Sequence, residues 1–194
     1  MPSDYLTLPP NLPVPQDDGA ADHLPGTAVP PMVLDSSQGP VDLGDLCSVR
    51  AVLYIYPHTG TPGEPLVDGW DAFPGARGCT PESCGFRDHA AELAAVGARV
   101  AGLSGQPLEE QIAFAERNRM PFPVIADPHL RLRDALSLPT FDLHGVTFLR
   151  RLTLVAERGT IVKAFYPVFP PDRHAGEVLA WLERHFAADP GEVS

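Results

Sequence analysis

From about residue 31 onward, apolar positions fall into short runs whose period shifts between two and roughly 3.6, and these shifts mark the elements. Met32–Asp35 and Val41–Leu43, separated by a turn through Ser36 to Pro40, predict a pair of short hairpin strands. Val49 to Tyr56 is apolar on both faces and stops at Pro57, the mark of a central, doubly covered strand. Ala98 to Ser104 predicts a second buried strand and Phe122 to Ala126 a short third one. Helical spacing appears in Phe86, Ala90, Leu93 and Ala94, predicting a helix over Thr80–Val96 that stops at Gly97. It recurs in Leu108, Ile112 and Ala115 (a helix from Pro107 to about Asn118), in Pro128–Leu136, and in Val178, Leu179, Leu182 and Phe186 (a helix over Asp172–Phe186). Arg151–Glu157 and Thr160–Tyr166, joined by Arg158-Gly159, predict a hairpin.

A β-α-β start followed by a hairpin and a closing helix implies an α/β domain, a mixed central sheet with helices on both faces. That domain spans residues 31–187, with 188–194 as a flexible tail. Residues 1–30 are rich in Pro, Asp and Gly without sustained periodicity, which predicts an extended arm, either a disordered tail or a strap across the fold or a partner subunit. Residues 58–78 form a long loop with no element of its own; because it carries Trp70 and Phe73 and delivers the chain to Cys79, it is expected to be an ordered wall of a site.

Composition narrows the function. A chain of 194 residues can bury a real core as one domain. With 14 basic against 25 acidic residues the net charge is −11, which repels nucleic acid and anionic membrane surfaces. No run is long enough to span a membrane, and no basic segment precedes an apolar leader, so a cytoplasmic location is expected. Three cysteines is an odd count, which fits transient pairing in a reducing compartment better than a disulfide framework.

The chemistry concentrates in Gly78-Cys79-Thr80-Pro81-Glu82-Ser83-Cys84-Gly85-Phe86-Arg87-Asp88. Thr80 suits an N-cap, Pro81 the first helical position, and Glu82 the positive end of the dipole, so backbone amides converge near Cys79 and favour its thiolate. At about 100° per residue, Cys79 projects onto the core stripe and Cys84 onto roughly the opposite side. Two helical residues five apart have Cα atoms about 8.6 Å apart, beyond the roughly 7 Å limit for a disulfide. A bond between them requires the first turn to unwind.

Other readings of these residues are blander. Both cysteines can be small core residues, or, with His58 or His89, loose zinc ligands lacking a second cysteine pair. Cys47 packs near the start of the central strand or serves as an alternative resolving or intermolecular partner. Arg151 by itself reads as a surface salt-bridge residue. Gly102-Leu103-Ser104-Gly105 lacks the lysine and spacing of a phosphate loop and reads as a turn. Functionally, a disulfide oxidoreductase or redox sensor using this cysteine pair competes with a non-enzymatic partner-binding scaffold.

The element order, Tyr54-Ile55-Tyr56-Pro57, Gly78-Cys79-Thr80, Cys84-Gly85-Phe86-Arg87-Asp88 and Arg151-Leu152-Thr153-Leu154-Val155 together resemble the peroxiredoxins, within them the Q-type or bacterioferritin comigratory protein subfamily. The resemblance covers roughly residues 31–187. It implies a thioredoxin-like fold and a peroxidase cycle that needs neither cofactor nor metal. In that cycle Cys79 is oxidised to sulfenic acid by hydrogen peroxide or an organic hydroperoxide and Cys84 resolves it to an intramolecular disulfide. A thioredoxin-type dithiol protein then reduces the bond. Arg151 matches the arginine that stabilises the thiolate, and Pro57 the proline that shields the pocket. A monomer or homodimer is implied, without nucleic-acid or membrane partners. One position departs: the family carries Thr three residues before the peroxidatic cysteine, and here that residue is Ala76. Thr61, in Thr61-Pro62-Gly63, is displaced from Cys79 by an insertion over Glu64–Arg77 and is expected to return to the site through that loop; Thr59, Thr80 or a backbone amide are the substitutes.

Overall fold

A computed structural model describes residues 5–186. The central strand β3 (Ala51–Ile55) lies mid-sheet, and every one of its residues is buried. Its side chains alternate: Leu53 and Ile55 enter one core, Val52 and Tyr54 the other. Parallel neighbours β4 (Arg99–Ser104) and β5 (Val124–Ala126) extend the sheet on one side. On the other side the antiparallel hairpin β8 (Leu152–Glu157) and β9 (Thr160–Phe165) gives the order β5-β4-β3-β8-β9. This is the expected mixed sheet. Arg158 and Gly159 both take positive φ, the geometry that a two-residue hairpin turn requires.

Helices α2 (Cys79–Asp88), α3 (Ala90–Ala95), α4 (Leu108–Asn118) and α6 (His174–Phe186) contribute to the core built on Val52, Tyr54, Phe86, Phe114 and Leu179. The opposite core takes Leu43 and Leu46 of α1 (Leu43–Leu46) and Leu132 and Leu136 of α5 (Arg131–Leu136). The carboxylate of Asp127 accepts from the Arg131 and Leu132 amides at 2.9 Å each and so starts α5. Within α4 the buried face is centred on Gln111, Phe114 and Ala115, whereas Leu108 and Ile112, expected inside, are half-buried. Gln111 can be there because its amide is used at both ends, by Tyr56 Oη and the Ile125 carbonyl, 2.8 Å each.

Strands β1 (Val33–Leu34) and β2 (Val41–Asp42) form the small hairpin foreseen, shortened because Leu43 already belongs to α1. The described part of the N-terminal arm is a strap rather than a tail. Ala21 and Leu24 are buried, and Gly26 and Val29 donate to Ile161 and Gly159 carbonyls at 2.7 and 2.8 Å, covering the β9 edge. Asp35 and Ser37 bond to Ala126 and Val124 in the same manner and cover the β5 edge. Residues 1–4 of the arm and the tail over 188–194 lie outside the described residues.

An element not anticipated is the hairpin β6 (Thr140–Leu143) and β7 (Val146–Leu149), turning at His144-Gly145, both with positive φ. It carries Phe141 and Phe148, which receive the inserted loop: Phe73 stacks on Phe141 at 4.0 Å, and Trp70 meets Phe148 edge-on at 5.0 Å. The loop thus has its own small core, with Trp70 and Ala76 buried and a short 3₁₀ turn at Trp70–Ala72. Among the described residues no helix is long and apolar enough to cross a membrane.

The catalytic-side core leaves little room for change. Tyr54 stacks on Phe86 of α2 at 4.4 Å, and a Cβ on Gly102 of the adjacent strand would lie 2.6 Å from the Tyr54 hydroxyl and Cζ. Gly102→Ala is therefore expected to lower stability by about 1–3 kcal/mol through overpacking, read as a shift in the urea midpoint. The loss should shrink in a Tyr54→Leu background; equal losses in both backgrounds would remove the steric explanation.

Candidate active site

Helix α2 starts earlier than the sequence suggests. Its N-cap is Gly78, at φ +105°, and Cys79 is the first helical residue; Thr80 lies inside the first turn and caps nothing. Only glycine fits at 78, because a side chain there would lie 2.3 Å from Pro171 in addition to the strained φ. The helix also bends: His89 leaves helical dihedrals between α2 and α3, which turns Ala94 out to solvent instead of onto the expected stripe.

Cys79 is 3 % exposed and Cys84 half-buried, the asymmetry that the helical projection implies. All three cysteines are free thiols. Arg151 immediately precedes β8, where strand alternation sends neighbouring side chains to opposite faces. Arg150 reaches the Thr140 carbonyl (3.0 Å) and the Asp18 carboxylate (3.5 Å). Arg151, 3 % exposed, turns inward, and its Nη2 donates to Cys79 Sγ at 3.1 Å and to the Ala76 and Arg77 carbonyls at 3.2 Å each. Its Nη1 forms a close ion pair with Glu82, which is 0 % exposed. The surface salt-bridge reading of Arg151 does not hold: its ion pair is buried, and the same guanidinium contacts the thiol.

Glu82 is the residue that the sequence reading misplaced. An acid in a first helical turn reads as a dipole partner at the surface; here the turn faces inward and the carboxylate is the counter-charge of a buried arginine. Nothing in the residue type announces this; the structure shows it in the burial of Thr80, Pro81 and Ser83 of the same turn. Burial raises the Glu82 carboxyl above its ordinary value, opposed by the charge of Arg151 and that of His174. His174, itself 1 % exposed, is held by Thr153 Oγ1 at 2.8 Å.

Burial also pushes the Cys79 thiol up, against the pull of the Arg151 charge; Glu82 adds to the rise, and a hydrogen bond from the His58 backbone N–H opposes it. A helix start alone therefore does not deliver the thiolate. Arg151 and the His58 amide supply what opposes desolvation. Cys84 is raised more simply, by burial, with Arg87 pulling down and Asp88 pushing up. Cys47, 1 % exposed, is pushed up to about 11 by burial, which makes it an inert core thiol.

Pro57 is buried, accepts from Ser104 Oγ at 3.1 Å through its carbonyl, and lines a cavity of about 230 Å³ with His58, Val67, Gln106, Glu110 and Phe148. Thr61 does not join the buried group. It is exposed in a turn closed by the Glu64 amide, because Pro62-Gly63 directs the chain outward before the loop returns. Thr59 is buried but spends its hydroxyl on Gln106 at 3.0 Å. The group three residues before Cys79 is instead the Ala76 carbonyl, which accepts from both Cys79 Sγ (3.5 Å) and Arg151. Among the described residues no three His, Cys, Asp or Glu side chains gather to hold a metal ion.

Comparison with known proteins agrees with this geometry. A family model described as Redoxin matches residues 24–179. The chain is similar to a Sedum lineare protein named peroxiredoxin Q, chloroplastic, at 31 % identity over 176 residues, covering 90 % of this chain and 86 % of that one. Among solved structures, peroxidoxin BcpB from Mycobacterium tuberculosis superposes with a TM-score of 0.67 at 30 % identity, covering 84 % of this chain and 98 % of that one. Peroxiredoxin Q of Xanthomonas campestris, at 24 % identity, shares the fold with a TM-score of 0.64, over 89 % and 96 % of the two chains. A sheet flanked by helices on both faces, a thiol at a buried helix start and an inward arginine thus meet a match that runs over most of the sequence: the chain belongs to the Redoxin family and, within it, to the Q-type peroxiredoxins, which are thiol-dependent peroxidases.

Proposed function

We propose that Cys79 is the peroxidatic residue, Cys84 its intramolecular resolving partner, and a thioredoxin-type dithiol protein the reductant. The observation that carries the assignment is the 3.1 Å contact between Arg151 Nη2 and Cys79 Sγ inside a dehydrated pocket. A fixed positive charge there favours the thiolate and, with the His58 amide, offers donors to the peroxide oxygens.

In this reading the Cys79 thiolate attacks the terminal oxygen of the hydroperoxide. The O–O bond breaks, the departing alkoxide or hydroxide takes up the proton that the thiol released, and sulfur becomes a sulfenic acid. The sulfur of Cys84 then attacks that sulfur, the S–O bond breaks, and water leaves with the proton from Cys84. Two electrons and two protons from the external dithiol restore both thiols. Hydrogen peroxide and organic hydroperoxides are the substrate class, and Pro57 shields the thiol side. The second step demands motion: both cysteines lie within α2, and helical residues five apart sit about 8.6 Å apart, so the first turn unwinds before the disulfide closes.

A disulfide oxidoreductase using the same pair is the competing function. Against it stands the burial of Cys79, which a protein disulfide substrate could not reach without prior opening, whereas a small peroxide can.

In stopped-flow with hydrogen peroxide, Cys79→Ser should abolish the fast oxidation. Cys84→Ser should keep it but stop at sulfenic acid, detectable by a sulfenate-trapping reagent and mass spectrometry. Equal slow rates in wild type and Cys79→Ser would sink the assignment. Hydrogen exchange over residues 79–84 should rise in the disulfide form, and unchanged protection there would count against the unwinding.

The pH dependence has a definite sign. Because Cys79 is raised by burial, its thiolate population, and with it the oxidation rate, should still be climbing above neutrality. Arg151→Met removes the main opposing charge, so the rate and the 240 nm thiolate absorbance should shift to higher pH, with a loss of roughly 10²–10³-fold at pH 7. An unmoved pH midpoint in Arg151→Met would show that the arginine does not act on the thiol.

A further inference from the structure

Next to the two cysteines lies one cleft, lined by Thr80, the neighbour of Cys79, and by Asn118, the contact of Cys84. Its volume is about 330 Å³, and Tyr5, Gly60, Pro62, Thr80, Arg117 and Asn118 line it. Thr80 follows Cys79 in α2. Asn118, the last residue of α4, places its carboxamide oxygen 3.9 Å from Cys84 Sγ.

The orientation of that carboxamide is set by its other contact. Asn118 Nδ2 donates to the Phe114 carbonyl at 2.9 Å, and a carbonyl can only accept, so the amide nitrogen must face it. The oxygen is left for Cys84. The Asn118 backbone carbonyl in turn accepts from Arg87 Nη1 at 2.9 Å, so the end of α4 is tied to α2 through Cys84 and again one turn further on. Arg119 then adopts positive φ and ends the helix, which fixes Asn118 at the cleft edge.

A carboxamide oxygen accepts a hydrogen bond from a thiol and gives none to a thiolate. Its effect on Cys84 is to hold the neutral, helical, retracted thiol. The charged groups around the sulfur are Arg87 and Asp88 on α2, with Arg117 on α4 lining the same cleft; the first two oppose each other at the thiol. Asn118 is the neighbour that distinguishes thiol from thiolate by hydrogen bonding alone.

We propose that Asn118 is a positioning residue for the resolving step, holding the Cys84 thiol in place until Cys79 is oxidised and releasing it into the cleft shared with Thr80. Nothing is added to the chemistry: Cys84 leaves the carboxamide, its sulfur displaces hydroxide from the Cys79 sulfenic acid, and its proton completes the water that departs. The inference rests on the assignment of Cys84 as the resolving residue.

Rapid acid quench of the full chain after mixing with hydrogen peroxide, followed by mass spectrometry, resolves sulfenic acid from intramolecular disulfide. In Asn118→Ala the ratio of disulfide formation to sulfenic acid formation should rise about twofold to tenfold, the range that one lost hydrogen bond supplies. In the nearly isosteric Asn118→Asp an anionic acceptor holds the S–H more strongly and opposes the Cys84 thiolate. The ratio should fall, and the pH midpoint of disulfide formation should move upward. Opposite responses of the two variants are what a merely structural role would not produce. Equal slowing in both, or wild-type ratio and midpoint in both, would overturn the role of Asn118. Failure of the wild type to form any Cys79–Cys84 disulfide would overturn the assignment of Cys84 itself.

Discussion

A guanidinium removed from water must have its charge answered from within the protein, and around Arg151 that requirement ties three parts of the chain together. The arginine comes from the entry to β8, its counter-charge Glu82 from the first turn of α2, and two carbonyls, Ala76 and Arg77, from the end of the inserted loop. Removing one member of a buried pair costs about 3–5 kcal/mol, because the other is left uncompensated. The pair therefore fixes where α2 begins relative to the sheet. Cys79 inherits its position from that constraint, one turn before Glu82 and against the same guanidinium. A site built this way cannot drift without unfolding its own support.

The same rigidity opposes the second half of the proposed cycle. Unwinding the first turn of α2 must part Cys79 from Arg151 and disturbs the turn that carries Glu82, while the helix around Phe86 stays packed. The local contacts divide along that line. Gly78, where the helix starts, lies against Leu8 of the strap and Pro171 of the turn before α6, while Tyr54 and His174 pack on Phe86 further along the helix. The turn that has to open is thus held by the buried Arg151–Glu82 pair, the strap and a glycine cap, and the part that has to stay is held by aromatic stacking in the core. Tyr5 adds a second strap contact nearby: its ring lies over Gly60 and its hydroxyl donates to the Glu64 carbonyl at 2.6 Å.

What the sequence made legible follows the same division. Several segments that bury a face against the main sheet report it by their period: the both-faces-apolar run at β3, the helical stripe at α6 and the Arg158-Gly159 turn are all in place, whereas the buried face of α4 is centred on Gln111 and Phe114 rather than on the apolar spacing. The hairpin at 140–149 escaped because its apolar residues Phe141, Leu143 and Phe148 face the inserted loop and not the sheet, and polar Thr140, Asp142 and Thr147 interrupt the run. A His-Gly turn flanked by alternating residues was the signal present. For residues 1–30, the tail and strap readings both stayed open for a different reason. Ala21 and Leu24 are buried without belonging to any regular element, so no period could announce them. Both thiols stood out because their residue type carries chemistry, and Arg151 stood out only through the family resemblance; Glu82 did not, because a first-turn acid is ordinarily explained by the helix dipole.

Ala76 shows how an insertion can alter a site without dismantling it. A threonine at that position would offer a hydroxyl able to donate as well as accept. The Ala76 carbonyl only accepts, and it is already engaged by Cys79 and Arg151. In the proposed site the donors beside the thiol are the Arg151 guanidinium and the His58 amide, both fixed by the fold. With fewer adjustable donors, recognition at the oxygen end depends on the placement of two rigid groups. The shape of the remaining approach falls to the residues around Pro57 and to the aromatic wall formed by the insertion and the β6–β7 hairpin. The loop that holds Thr61 outward is the same one that supplies that wall.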